Sequence, residues 1–149
     1  MPSQGAAILQ RMKVTVHVDG GARGNPGPAA AASVVSDPAG EVLDEHAQLL
    51  GSVTNNVAEY RALLLGLERA RALGASEVEV VNDSELIAKQ VQGLYKVKHE
   101  AMRPLHRAAM AALKEFERWS IRSVPRAQNA HADALVNAAL DQARAAARG

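Results

Sequence analysis

Cysteine is absent from the 149 residues. That excludes a disulfide framework and thiolate zinc sites, and leaves oxygen and imidazole as the ligands available to a metal. Hard ions such as Mg²⁺ or Mn²⁺ suit that chemistry. No apolar run reaches the roughly 18 residues of a membrane span, and Met1 to Lys13 lacks the basic-then-apolar layout of a secretory leader. A cytoplasmic protein with no membrane partner is the simplest expectation. Charge of one sign is also lacking, with a net value of only +1. Division after Glu85 is more informative: 6 Lys/Arg stand against 11 Asp/Glu before it, and 11 against 5 after it. Such asymmetry suits an acidic cation site beside a basic surface for a polyanion, or else solvated helix faces. What is present in quantity is apolar side chain, 48% of the total, enough for one domain with its own core.

Val14 to Val18 is β-branched and runs into Asp19-Gly20-Gly21, which predicts a strand ending in a turn. The cluster Gly24-Asn25-Pro26-Gly27-Pro28 excludes helix. Ala29 to Ser36 and Val42 to Leu50 read as two more strands, joined by a hairpin turn at Asp37-Pro38-Ala39-Gly40. Thr54 or Asn55 can cap a helix to about Leu73, with Gly74 as its C′ residue and Leu63, Leu67, Ala70 and Leu73 as its apolar stripe. Glu77 to Val81 is a fourth strand. Asp83 or Ser84 caps a short helix to about Val91, broken by Gly93, and a long helix is expected from Glu100 to Glu117 with Pro104 in its first turn. Trp119 to Val124 is a fifth strand, and Ala130 to about Ala146 a final amphipathic helix.

Four carboxylates sit at the junctions of these elements. Asp19 closes a buried strand, where a charge is costly unless a cation or donor satisfies it; alternatively it caps the Gly20-Gly21 turn. Glu59, expected in the first turn of its helix, shares the stripe of Leu63 and Leu67 and so points inward; the helix dipole explains an acid there but not the inward face. Asp83 follows a strand at its carboxyl end, where open α/β sheets place ligands, or is an N-cap. Asp133 lies early in the last helix between apolar and polar stripes, or is a solvated first-turn acid. Converging, the four could not all ionise at neutral pH without cations, and two divalent ions roughly 3.5 to 4 Å apart would relieve the repulsion.

The blocks Val18-Asp19-Gly20-Gly21-Ala22-Arg23-Gly24-Asn25-Pro26-Gly27-Pro28, Thr54-Asn55-Asn56-Val57-Ala58-Glu59, Asn82-Asp83-Ser84 and Arg126-Ala127-Gln128-Asn129-Ala130-His131-Ala132-Asp133-Ala134-Leu135 resemble type 1 ribonuclease H, in order and spacing, from about Lys13 to Leu140. The resemblance implies an α/β ribonuclease H-like fold. Its mixed five-stranded sheet would have strands 1 to 3 antiparallel, strands 1, 4 and 5 parallel, and helices on both faces. It implies a domain over residues 13–142 behind an N-terminal extension over 1–12, while the low complexity of residues 143–149 reads as a frayed tail or the start of a linker. The resemblance further implies a catalytic, metal-binding set of Asp19, Glu59, Asp83 and Asp133, two Mg²⁺ or Mn²⁺ ions, and hydrolysis of RNA in an RNA/DNA hybrid by a monomer, leaving 5′-phosphate and 3′-hydroxyl ends.

Substrate contacts are expected from Gly20, Gly21 and Gly24 by close backbone approach, from Asn55 and Asn56 in a shallow minor groove, and from Asn25 with Thr54 at a DNA-strand phosphate. Arg126 and Asn129 complete the expected contacts. The sequence departs from many relatives in lacking a histidine in the loop Val124 to Asn129. Arg126 is the candidate for its role by holding a phosphate, and His131 a second candidate, set against its reading as a surface residue. Gly93 to His99 replaces the basic handle of some relatives; Lys96 and Lys98 are candidate phosphate contacts or solvated lysines. This pattern resembles the archaeal-type subgroup, some members of which also cut double-stranded RNA. Two alternatives stand beside the nuclease: a hybrid-binding module without turnover, which the intact carboxylate set disfavours, and another nuclease or transferase of the superfold, which the Gly-Asn-Pro-Gly-Pro and Thr-Asn-Asn blocks disfavour.

Overall fold

The computed structural model describes residues 12–149, so most of the expected N-terminal extension lies outside the described residues. Strands β1 (Lys13–Ala22), β2 (Gly27–Ser36) and β3 (Val42–Val53) form an antiparallel meander. Helix α1 (Asn55–Ala72) leads to β4 (Glu77–Asn82), then α2 (Glu85–Val91), α3 (Arg103–Leu113), β5 (Arg118–Ser123) and α4 (Ala130–Arg148). The sheet order is β3-β2-β1-β4-β5, with β4 parallel to both β1 and β5. The mixed five-stranded sheet expected from the resemblance is therefore the observed one.

Alternation along β1 divides the core. Val14, Val16 and Val18, at most 2% exposed, point to the face covered by α1, α2 and α3, where Leu63, Leu67, Ile87 and Leu113 meet them. Residues of the other parity face α4, whose Val136 and Leu140 pack on Ala30 and Ala32. Gly66 lets α1 lie close on the sheet, since a Cβ there would stand 2.6 Å from the Val18 Cγ1.

Capping settles two open boundaries. The Thr54 hydroxyl accepts from the Val57 N–H, and the Ser84 hydroxyl from the Ile87 N–H, so Thr54 and Ser84 are the N-caps. Gly74 and Gly93 adopt φ of +85° and +80° just beyond the ends of α1 and α2. Three expectations need correction. The helix expected from Glu100 to Glu117 begins as a 3₁₀ turn, Glu100–Met102, and its α portion ends at Leu113, because Phe116 turns into the core and the Glu117 N–H is taken by the Ser76 carbonyl beside β5. The turn expected at Asp19-Gly20-Gly21 is strand instead, because these residues stay paired with Ala32, Ala31 and Ala30 of β2 and carry β1 on to Ala22. Helix α4, expected to about Ala146, runs to Arg148. Among the described residues no helix is long and apolar enough to cross a membrane.

Candidate active site

Gly20 is the point at which two of the carboxylates are brought together. A Cβ at this position would stand 2.1 Å from the Ala58 carbonyl oxygen, so only glycine lets the second turn of α1 touch β1. That contact sets Glu59 beside Asp19. The close approach expected of Gly20 is thus between two elements of the chain itself. Glu59 is the fifth residue of α1 rather than a first-turn acid, so the helix dipole does not account for it.

The β4–α2 turn is fixed by Asn82, a buried residue not singled out as a candidate in the sequence. Its Oδ1 accepts from the Ser84 N–H at 2.6 Å and its Nδ2 donates to the Arg122 carbonyl at 3.3 Å. This Asx-type closure holds Asp83 at the sheet end; the signal was the Asn-Asp-Ser order itself. Asn129 corrects another expectation. Only 1% exposed, it is no surface contact; its Nδ2 donates to the Val18 carbonyl at 2.8 Å, tying the start of α4 to β1 next to Asp19. Asp133 then falls in the first turn of α4.

All four carboxylates line one cleft of about 580 Å³, with Gly20, Gly21, Asn55, Arg126 and Asn137 on its walls. Burial pushes the Asp19 carboxyl up to about 8, and the neighbouring Asp83 and Asp133 add to the shift. Burial pushes Glu59 up to about 7, opposed by the Ser84 hydroxyl and reinforced by Asp83. Asp83 is also raised, mainly by burial, against the pull of Arg126. Glu59 Oε2 is buried without a hydrogen-bond partner, an arrangement that costs free energy until a donor or cation reaches it. Arg126 Nη2 donates to Asp133 Oδ1 at 3.1 Å, and Asn137 Nδ2 lies 3.4 Å from Oδ2. Among the described residues no three acidic or imidazole side chains already enclose a single point as an ion would need. Asp133, engaged by Arg126 and Asn137, is the member most committed elsewhere.

The other expected residues divide by position. Asn55 Oδ1 accepts from the Ala22 N–H at 2.8 Å, and Asn25 Oδ1 from the Asn55 N–H at 3.0 Å, which joins the β1–β2 loop to the start of α1 and leaves each side chain its Nδ2 donors. Gly24 needs its φ of +100° for that loop, while Gly21 has only Val136 Cγ1 nearby, at 3.8 Å, and opens on the cleft. Asn56 is exposed, and Thr54 is occupied as the cap. His131 pairs with Glu45 of β3 and does not line the cleft. Lys96 and Lys98 are exposed in the segment between α2 and the 3₁₀ turn, outside the cleft.

Comparison with known proteins agrees with this geometry. A family described as reverse transcriptase-like matches residues 17–139. The bifunctional protein Rv2228c of Mycobacterium tuberculosis is 47% identical over 133 residues, 89% of this chain, which spans only 36% of that relative's length. The crystal structure of RNase H1 from the halophilic archaeon Halobacterium salinarum is 42% identical with a TM-score of 0.86, over 87% of this chain and 98% of the other. LC11-RNase H1, solved in complex with an RNA/DNA hybrid, is 42% identical with a TM-score of 0.84, over the same shares. With four carboxylates gathered in one cleft, and a fold and sequence that match along most of its length, the chain belongs to the type 1 ribonuclease H family.

Proposed function

We propose that this chain is an endoribonuclease that hydrolyses the RNA strand of RNA/DNA hybrids and leaves 5′-phosphate and 3′-hydroxyl ends. The observation that carries the reading is the convergence of Asp19, Glu59, Asp83 and Asp133 on one cleft, with a buried Glu59 oxygen left unpaired. The donor set is all carboxylate oxygen, which fits Mg²⁺ or Mn²⁺. These four residues would hold two such ions. The chemistry the ions supply when bound is Lewis acidity, which favours deprotonation of water and stabilises charge on the leaving oxygen of a phosphodiester.

The chain's own residues account for the rest. Asp19, on the rigid centre of the sheet, fixes the cleft floor, and Glu59 and Asp83 flank it from α1 and the β4–α2 turn. Asn55 and Asn56 stand at the start of α1, where their amide groups can reach base edges and the 2′-hydroxyls that distinguish RNA from DNA. The Asn25 amide and the Gly21 edge extend that contact along the β1–β2 loop. Arg126, 76% exposed at its side chain, can leave Asp133 and turn to a substrate phosphate, the task we assign it in place of the missing loop histidine. His131 is assigned no part, because its partner is Glu45.

The test is an end-labelled assay comparing hybrid, double-stranded RNA and duplex DNA with Mg²⁺, Mn²⁺ or chelator. The expected result is metal-dependent cutting of the RNA strand alone in the hybrid, with 3′-hydroxyl ends. Cutting that persists in chelator, or no hybrid cutting with either ion, contradicts the proposal; cutting of double-stranded RNA as well broadens the substrate class.

A further inference from the structure

Helix α4 carries a stripe that outruns the carboxylate cleft. Asp133, Asn137, Leu140 and Arg144 recur at helical spacing on one face, and Arg148 continues it by one more turn. The first three line the cleft. Leu140 and Arg144 line a second trough, of about 650 Å³, between the end of α4 and strands β2 and β3, floored by Ala29, Leu49 and Ala143. Arg23 and Leu140 border both hollows, so they form one continuous track.

The cations lining this trough are Arg23 and Arg144, and Arg148 stands one helical turn beyond Arg144. Arg144 and Arg148 are exposed, and among the described residues neither lies within ion-pair distance of a carboxylate. Arg23 is held by Asp141 at 2.7 Å, so the free charge is at the far end. At 1.5 Å per residue, Arg144 lies about 16 Å beyond Asp133 along the helix and Arg148 about 22 Å. A strand following α4 would cover that distance in about five to seven nucleotide steps of roughly 3.4 Å. No aromatic side chain lines the trough, so stacking of bases is not what it offers. Two unpaired guanidinium groups beside a track for a polyanion suit backbone phosphate, a contact that positions without reading sequence.

We propose that the trough between α4 and the β2–β3 edge is a second anchoring site for the nucleic-acid substrate, where Arg144 on its wall and Arg148 one turn beyond it hold backbone phosphate remote from the cut. This inference rests on the hybrid-cleavage reading above. It makes affinity depend on duplex length on one side of the cut, a property the carboxylate cleft alone does not confer.

The experiment compares the parent with Arg144→Ala/Arg148→Ala on two hybrids, one ending about four base pairs from the cut on the α4 side and one extending about ten. On the long hybrid the double variant should raise KM about tenfold, since two exposed charge contacts are lost, with kcat unchanged. The short hybrid should be cut alike by both proteins. Hybrid binding followed by anisotropy in chelator should lose about 1.8 from its log–log salt slope, for two phosphates at about 0.9 each. Arg144→Lys/Arg148→Lys should retain most of the affinity. A double variant matching the parent on the long hybrid in KM and salt slope overturns the anchoring site and leaves the nuclease reading intact, the trough then serving another partner. Equal loss on both hybrids also overturns it. A parent that cuts neither hybrid overturns both readings.

Discussion

Asp19 stands in a strand whose neighbours Val16 and Val18 are buried, and its own side chain is nearly so. The sign of the resulting pH dependence follows from its raised pKa. An acid protonated in the folded state and ionised in the unfolded chain contributes stability that is complete below its unfolded value of 3.8 and lost as pH rises through about 8. Glu59 behaves likewise between 4.5 and about 7. Metal-free protein in chelator should therefore melt at progressively lower temperature as pH rises from about 4 to about 8. Asp19→Asn should flatten that decline and melt above the parent at the alkaline end, and Mg²⁺ should raise the parent's Tm more at the alkaline end than at the acid end. A thermal-melt series in which Asp19→Asn is the less stable protein at every pH would contradict this account. The same substitution should cost activity about a thousandfold or more, because metal-borne charge stabilisation is worth several kcal/mol.

At the scale of elements, the site is made by contacts between backbones. Gly20→Ala should force α1 away from β1 by driving a Cβ into the Ala58 carbonyl, 2.1 Å away. A loss of at least about 1–3 kcal/mol in denaturant unfolding is expected, with activity falling in parallel. Gly21→Ala, whose nearest neighbour is 3.8 Å distant, should stay within about 1 kcal/mol of the parent. Asn129→Ala removes the buried donor to the Val18 carbonyl and should cost about 1–3 kcal/mol, measured the same way. These couplings also mark the limit of what the sequence disclosed. Periodicity and capping signals located the five strands and the four α-helices, because burial alternates locally along β1 and α1. Long-range backbone contacts have no local signature: Gly20 reads as a turn glycine and Asn129 as a polar surface residue until Ala58 and Val18 are seen beside them. The end of α3 was misplaced for the same reason, since Phe116 leaves the helix to fill a core built by distant residues.

For the whole molecule, the charge asymmetry about Glu85 is only partly a matter of two surfaces. Asp133, from the basic half, joins the three acids of the first half in one cleft, and Arg126 brings a positive charge to the same place. The four acids were legible as candidates because each was expected at an element boundary; Asp83 and Asp133 do stand at one, whereas Asp19 lies within β1 and Glu59 beyond the first turn of α1, and their convergence became visible only through the parallel pairing of β4 with β1. Hybrid binding should weaken with salt, at a log–log slope of about 0.9 per phosphate contacted, as measured by anisotropy across ionic strength; a flat profile would exclude backbone contact.

The most direct measurement is single-turnover cleavage of an RNA-labelled hybrid by the parent and by Asp19→Asn, each with Mg²⁺ and with chelator. If four carboxylates act together through divalent ions, only the parent with Mg²⁺ cuts, and the DNA strand survives. If Asp19→Asn cuts as fast as the parent, or either protein cuts in chelator, the carboxylate cleft is not where the RNA is hydrolysed.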